Sequence, residues 1–169
     1  MARTVRIGII GCGGIANGKH MPSLAQVEGV EMVAFCDIIV EKAEAAAKKF
    51  GTPDAKVYAD YKELLSDESI EVVHVLTPNR SHADITVDAL HAGKHVMCEK
   101  PMAKTAADAK RMLDAAKETG KKLTIGYQHR QKAQARYAKD YIEAGALGDI
   151  YKLLRHPPSR NAQLGRVPQ

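Results

Sequence analysis

The chain has 169 residues, 45% of them apolar and 27% charged, which fits one globular domain with a core of its own. No stretch approaches the roughly 18 uninterrupted apolar residues of a membrane span, so a spanning helix is excluded. The net charge of +5 sits at one end: Lys152, Arg155, Arg160 and Arg166 share an acid-free stretch, and the other 21 basic residues nearly balance 20 acids, which argues against a nucleic-acid partner.

The start, "MARTVRIGIIGCGG", is basic and then apolar, but its apolar part is short and glycine-rich. It reads as a first strand over 4–10 rather than a signal peptide. A helix is expected over 14–27, with Pro22 breaking or kinking it. A strand over 31–37, a helix over 40–51 that closes on Gly51, and a short strand over 56–59 follow. The helix over 60–67 has Asp60 as its cap, with Glu63 in the capping-box position. Next come a strand over 71–77, a helix over 81–93 capped by Ser81 and stopped at Gly93, and a strand over 95–99. A helix over 105–120, a strand over 122–126, a helix over 133–145 and the start of a strand over 149–154 complete the pattern. Strict alternation of this kind specifies an α/β fold: a doubly wound parallel sheet with helices on both faces, the Rossmann arrangement. The expected domain spans residues 1–150, and 151–169 is an irregular tail.

The first strand ends in "GCGGIA", with Gly11, Gly13 and Ala16 in the spacing G-x-G-x-x-G/A. Gly11 allows the tight turn, Gly13 lets a pyrophosphate approach the backbone, and Ala16 is small enough for close helix packing. The amides of Gly13, Gly14, Ile15 and Ala16 at the helix start would face the phosphates. Asp37 ends the second strand, 21 positions past Ala16, where a carboxylate accepts from both hydroxyls of an adenosine ribose. Asp37 would repel a 2′-phosphate, and Ile38, Ile39 and Val40 supply no arginine to hold one, so NAD is favoured over NADP.

"TPNRSH" (77–82), "CEKP" (98–101) and "GYQHR" (126–130) end the fourth, fifth and sixth strands. Such loops lie along one edge of an open parallel sheet, where ligands bind. Asn79, His82, Glu99, Lys100, Gln128 and Arg130 are therefore expected to converge. His91 and His95 stand four apart but flank Gly93 at a helix stop, so no shared face and no metal site is expected. Cys12, Cys36 and Cys98 are widely spaced with no CxxC pair, which excludes a disulfide framework or zinc site and indicates a reducing, cytoplasmic compartment. Cys12 reads as a small packing residue.

With "GCGGIA", "AFCD", "TPN..H", "AGKHVMCEKPMA" and "GYQHR" in this order, the chain resembles the Gfo/Idh/MocA family of NAD(P)-dependent oxidoreductases from residue 4 to about 151. The resemblance implies hydride transfer between nicotinamide and a carbon of a sugar, an inositol-like polyol or a related hydroxyl compound. It implies Lys100 as the catalytic residue at the reacting hydroxyl, partly buried, with Glu99 and Pro101 placing it and a cis Lys100–Pro101 bond. Thr77, Pro78, Asn79 and His82 would line the nicotinamide–ribose side, and Gln128 would join the cofactor site. It further implies a substrate domain that also forms a homo-oligomer, which is not found within these 169 residues. The chain alone is accordingly expected to bind cofactor without turnover, and the alternative is a stand-alone nucleotide-binding or sensing module.

The last residues, "RHPPSRNAQLGRVPQ" (155–169), depart from this pattern. Relatives follow "LGDIY" with a strand and a segment resembling "RRRGxPxWGVF". One permitted back-translation of the tail, moved by one base, reads "ATRRRGTPSWGVFP". The tail is thus expected to be a frame-shifted version of the family segment, without packing of its own.

Overall fold

In the computed structural model, which describes residues 3–150, the strands are β1 Val5–Ile10, β2 Val30–Cys36, β3 Lys56–Tyr58, β4 Val72–Val75, β5 His95–Cys98 and β6 Leu123–Ile125. They form one sheet in the order β3-β2-β1-β4-β5-β6, and every pair is parallel. The order reverses between β1 and β4, both of which leave their carboxyl ends at that point. A crevice there is where an open α/β sheet binds its ligand. The tail from 151 onward, and most of the strand expected over 149–154, lie outside the described residues.

Side chains alternate across the sheet and sort into two cores. On one face Ile10, Val73, Val75 and Val96 pack with Leu64 and Leu65 of α3 (Tyr61–Ser66), Ala89 and Leu90 of α4 (His82–His91), and Met112 of α5 (Ala106–Thr119). On the other, Ile7, Ile9, Met32 and Phe35 pack with Ala16 and Met21, and with Ala43 and Ala46 of α2 (Val40–Phe50). Helices on both faces are what the near-continuous apolar strands require.

The first crossover departs from the expected helix. A π-helical turn, Ala16–His20, runs directly into α1, Met21–Leu24. Pro22 has no N–H to give to the carbonyl four residues back, and its ring crowds that carbonyl. The preceding turn widens instead, and the Met21 amide donates to Ala16 O, five residues back. The wide turn keeps Ala16 and Met21 on one face, both fully buried.

Of the two expected caps, Asp60 and Ser81, the first holds and the second does not. Asp60 caps α3 by accepting from the Lys62 amide at 2.9 Å. Ser81 does not cap α4: a 3-10 turn, Asn79–Ser81, precedes it, and the Ser81 hydroxyl donates to Thr77 Oγ1 and Pro78 O, both at 2.9 Å. The backbone divides into two units, Met1–Tyr127 and Gln128–Gln169. The second unit contains a 3-10 turn, Gln128–Gln131, and α6, Ala133–Glu143.

Candidate active site

β1 delivers the glycine turn to the switch point. Gly11 has φ +95°, and a Cβ there would lie 2.8 Å from Leu76 C and Thr77 N, at the end of β4. Its amide donates to Cys36 O at 2.8 Å. Only glycine satisfies both the backbone angle and this approach. Gly13 and Gly14 differ, because a Cβ on either would meet nothing within 4 Å. The glycines thus bare the backbone on an open side, in front of the first amides of the helix. Asn17, which the sequence pattern does not single out, braces the turn: its amide group donates to Cys12 O at 2.7 Å and Gly13 O at 3.1 Å.

Asp37 sits just past β2, with one carboxylate oxygen accepting from the Cys12 amide and the other from the Ile39 amide, each at 2.9 Å. Each oxygen keeps capacity for a further donor. The carboxylate is therefore oriented by the glycine turn itself. Ile38 and Ile39 beside it are exposed. Cys12 is buried, and burial with the nearby Asp37 carboxylate pushes its thiol up to about 12. A thiol held protonated in this way is not a nucleophile at neutral pH.

The loops after β4 and β5 meet beneath the same edge. His82 is buried, with Nδ1 2.8 Å from Pro101 O and Nε2 2.8 Å from Thr77 O. Both ring nitrogens of His82 are turned to backbone carbonyls, so it ties the two loops together. Pro78 and Asn79 are exposed, and Thr77 is half-buried. The Lys100–Pro101 bond is cis. Lys100 is exposed, in contrast to the partial burial expected for it. Glu99 is buried beneath it, accepting from the Lys100 amide at 2.7 Å through Oε2 and facing His20 Nε2 at 2.8 Å through Oε1.

Sequence spacing did not flag His20. The nearest signal is its place in the last turn of the helix that the glycine turn opens. His74 on β4 lies edge-on to His20, with ring centroids 6.0 Å apart. Its Nδ1 is enclosed without a partner, and burial together with His20 lowers the ring to about 4. Gln128 and Arg130 are exposed on the 3-10 turn of the second unit. Among the described residues no three His, Cys, Asp or Glu side chains are placed to hold a metal ion. No helix among them is long and apolar enough to cross a membrane.

Comparison with known proteins agrees with this fold. The chain is 42% identical over 147 residues to an inositol 2-dehydrogenase of Salmonella typhimurium, covering 86% of this chain and 43% of that protein. It is 38% identical over 147 residues to a D-glucoside 3-dehydrogenase of Escherichia coli, covering 87% of this chain and 41% of the relative. The chain thus spans about two fifths of the length of these curated relatives. A crystal structure of a 3-ketoreductase from Actinomadura kijaniata in complex with NADP superimposes with a TM-score of 0.77 at 28% identity, over 87% of this chain and 46% of that one. That of myo-inositol 2-dehydrogenase from Lactobacillus plantarum gives 0.78, also at 28% identity, over 88% and 43%. The profile of the oxidoreductase family with an NAD-binding Rossmann fold matches residues 5–127, and the chain belongs to this family, Gfo/Idh/MocA.

Proposed function

We propose that this chain supplies the NAD-binding part, and the lysine at the reacting hydroxyl, of an oxidoreductase acting on a sugar or an inositol-like polyol. One observation carries the reading: at the switch point of the sheet the glycine turn packs on the end of β4, Gly11 against Leu76, and the helical turn that it opens reaches the Glu99–Lys100 turn, His20 against Glu99. The bared backbone at Gly13 and Gly14 suits a pyrophosphate, with the amides of Ile15 and Ala16 behind it. Asp37 suits a ribose with two free hydroxyls, and its charge with no arginine over 38–40 supports NAD over NADP. Thr77, Pro78 and Asn79 are suited to the nicotinamide end. When bound, the nicotinamide ring supplies a hydride acceptor. As an ammonium, Lys100 would lower the cost of alkoxide character on the substrate hydroxyl; as the neutral amine it would accept that hydroxyl's proton while the hydride passes to nicotinamide. In the 169-residue chain Lys100 lies in water, where that electrostatic help is weak. This polypeptide by itself therefore binds dinucleotide without measurable oxidation of inositol.

Calorimetric titration with NADH and NADPH tests the cofactor assignment. NADH is expected to bind at least about tenfold more tightly, a difference of about 1.4 kcal/mol. Asp37→Asn removes the charge but keeps an acceptor for one amide, and should narrow that gap. Equal or reversed affinities in the unmodified chain would overturn the assignment.

A further inference from the structure

The π-helical turn has its two ends at different tasks. Its start lies beside the bared amides of the glycine turn, and its last residue, His20, reaches under the turn that carries Lys100. The His20 and Glu99 side chains are 14% and 6% exposed, so water offers little competition for the contact between them. One carboxylate oxygen of Glu99 faces His20 Nε2 at 2.8 Å, and the other accepts from the Lys100 amide at 2.7 Å. A Cβ on Gly126, past the end of β6, would lie 3.4 Å from Glu99 Oε1, so the Gly126 backbone runs alongside the carboxylate. His74 faces His20 from β4 and is kept neutral by burial, so it brings no positive charge to the pair. Glu99 therefore has one partner on the helix and one on the Lys100 backbone.

We propose that His20 is a positioning residue for Lys100: through Glu99 it fixes the backbone of Lys100 to the helix whose opposite end receives the dinucleotide phosphates. The proposal rests on the reading that Lys100 meets the reacting hydroxyl. It adds a mechanical link between phosphate site and lysine, made of two hydrogen bonds, that the glycine motif and the Glu-Lys-Pro run do not contain. A π turn at a functional site commonly re-aims a side chain in this way. With a regular α-helical turn, the residues after Ala16 would be rotated out of this register.

Amide hydrogen exchange read by NMR on the full 169-residue chain tests the link without any turnover. His20→Ala is expected to speed exchange of the Lys100 amide about tenfold or more, while the amides of β1 and β4 keep their wild-type rates. His20→Gln places a donor nitrogen near the position of Nε2 and should restore the Lys100 amide to within about threefold of wild type. Adding His20→Ala to Glu99→Ala should cause no further change at Lys100, because the amide has already lost its acceptor. An unaltered Lys100 amide in His20→Ala, an equal acceleration throughout the core, or no rescue by glutamine would each overturn the proposal. NADH binding by the unmodified chain is measured separately. Its failure would count against the cofactor reading, while the exchange result would still decide the link.

Discussion

At Gly11 an added Cβ would press on Leu76 and Thr77 backbone at 2.8 Å, whereas at Gly13 it would meet nothing within 4 Å. The two glycines of one motif therefore answer to different constraints, and substitution should separate them. Gly11→Ala forces an L side chain into φ +95° and against backbone, which should cost roughly 2–4 kcal/mol of stability. Gly13→Ala should leave the urea midpoint unchanged and weaken NADH binding by about tenfold or more, as the methyl fills the space for the phosphates. An unfolded Gly13→Ala, or one that binds NADH normally, would show that the open side of the turn is not the phosphate site. The motif spacing made both glycines legible, along with Ala16 and Asp37. It could not reveal Asn17 or His20, because their partners are backbone carbonyls and a carboxylate 79 positions away. Pairing of that kind depends on how the sheet is ordered, which no local window contains.

Among the elements, all six strands with described pairing stand where alternating apolar runs placed them, since a buried parallel strand has a strong local signature. Helix starts were harder to read. "Asp60-x-x-Glu63" and "Ser81-x-x-Asp84" look alike as cap signals, yet only the first side chain accepts from a helix amide. At Ser81 the neighbouring Thr77 and Pro78 capture the hydroxyl, and a 3-10 turn supplies the helix entry. Thr105 is a true cap of α5, accepting from the Asp108 amide at 3.1 Å and donating to its carboxylate at 2.8 Å. Asp60→Ala and Thr105→Ala should therefore each cost about 1 kcal/mol in urea unfolding. Ser81→Ala should cost less, and its effect should appear instead in NADH affinity through the loosened Thr77 loop. A Ser81→Ala penalty as large as the other two would mean that the serine caps α4 in solution.

Across the whole molecule, the buried titratable groups set a window of pH in which the fold is most stable. On the acid side, His74 is lowered to about 4 by burial and by His20, from an ordinary value of 6.5. A group with a depressed folded value stabilises the fold above its unfolded pKa, so this contribution is complete above pH 6.5. It is lost as pH falls towards 4, to an extent on the order of 2–3 kcal/mol. Asp67 adds to the same side, because hydrogen bonds from Lys56 and Ser69 hold its carboxyl well below the usual range. On the alkaline side, burial and nearby carboxylates push Cys12 and Cys36 up to about 12, and burial raises Cys98 to about 11, from 9.0. Raised thiols stabilise the fold below pH 9, and the contribution falls away as pH rises from 9 towards 12, since the unfolded chain ionises first. Melting temperature should accordingly be flat from about pH 6.5 to 9 and fall on both sides. His74→Leu removes the titrating ring without adding a polar group, and should flatten the profile between pH 4 and 6.5 while leaving the alkaline limb as it was. An acid limb unchanged in His74→Leu would place that loss on Asp67 and the other carboxylates instead. Thiol titration of the native protein near neutral pH should be slow at all three cysteines, since each is buried and its thiolate is disfavoured. Rapid labelling of any one would show that the core around it opens without global unfolding.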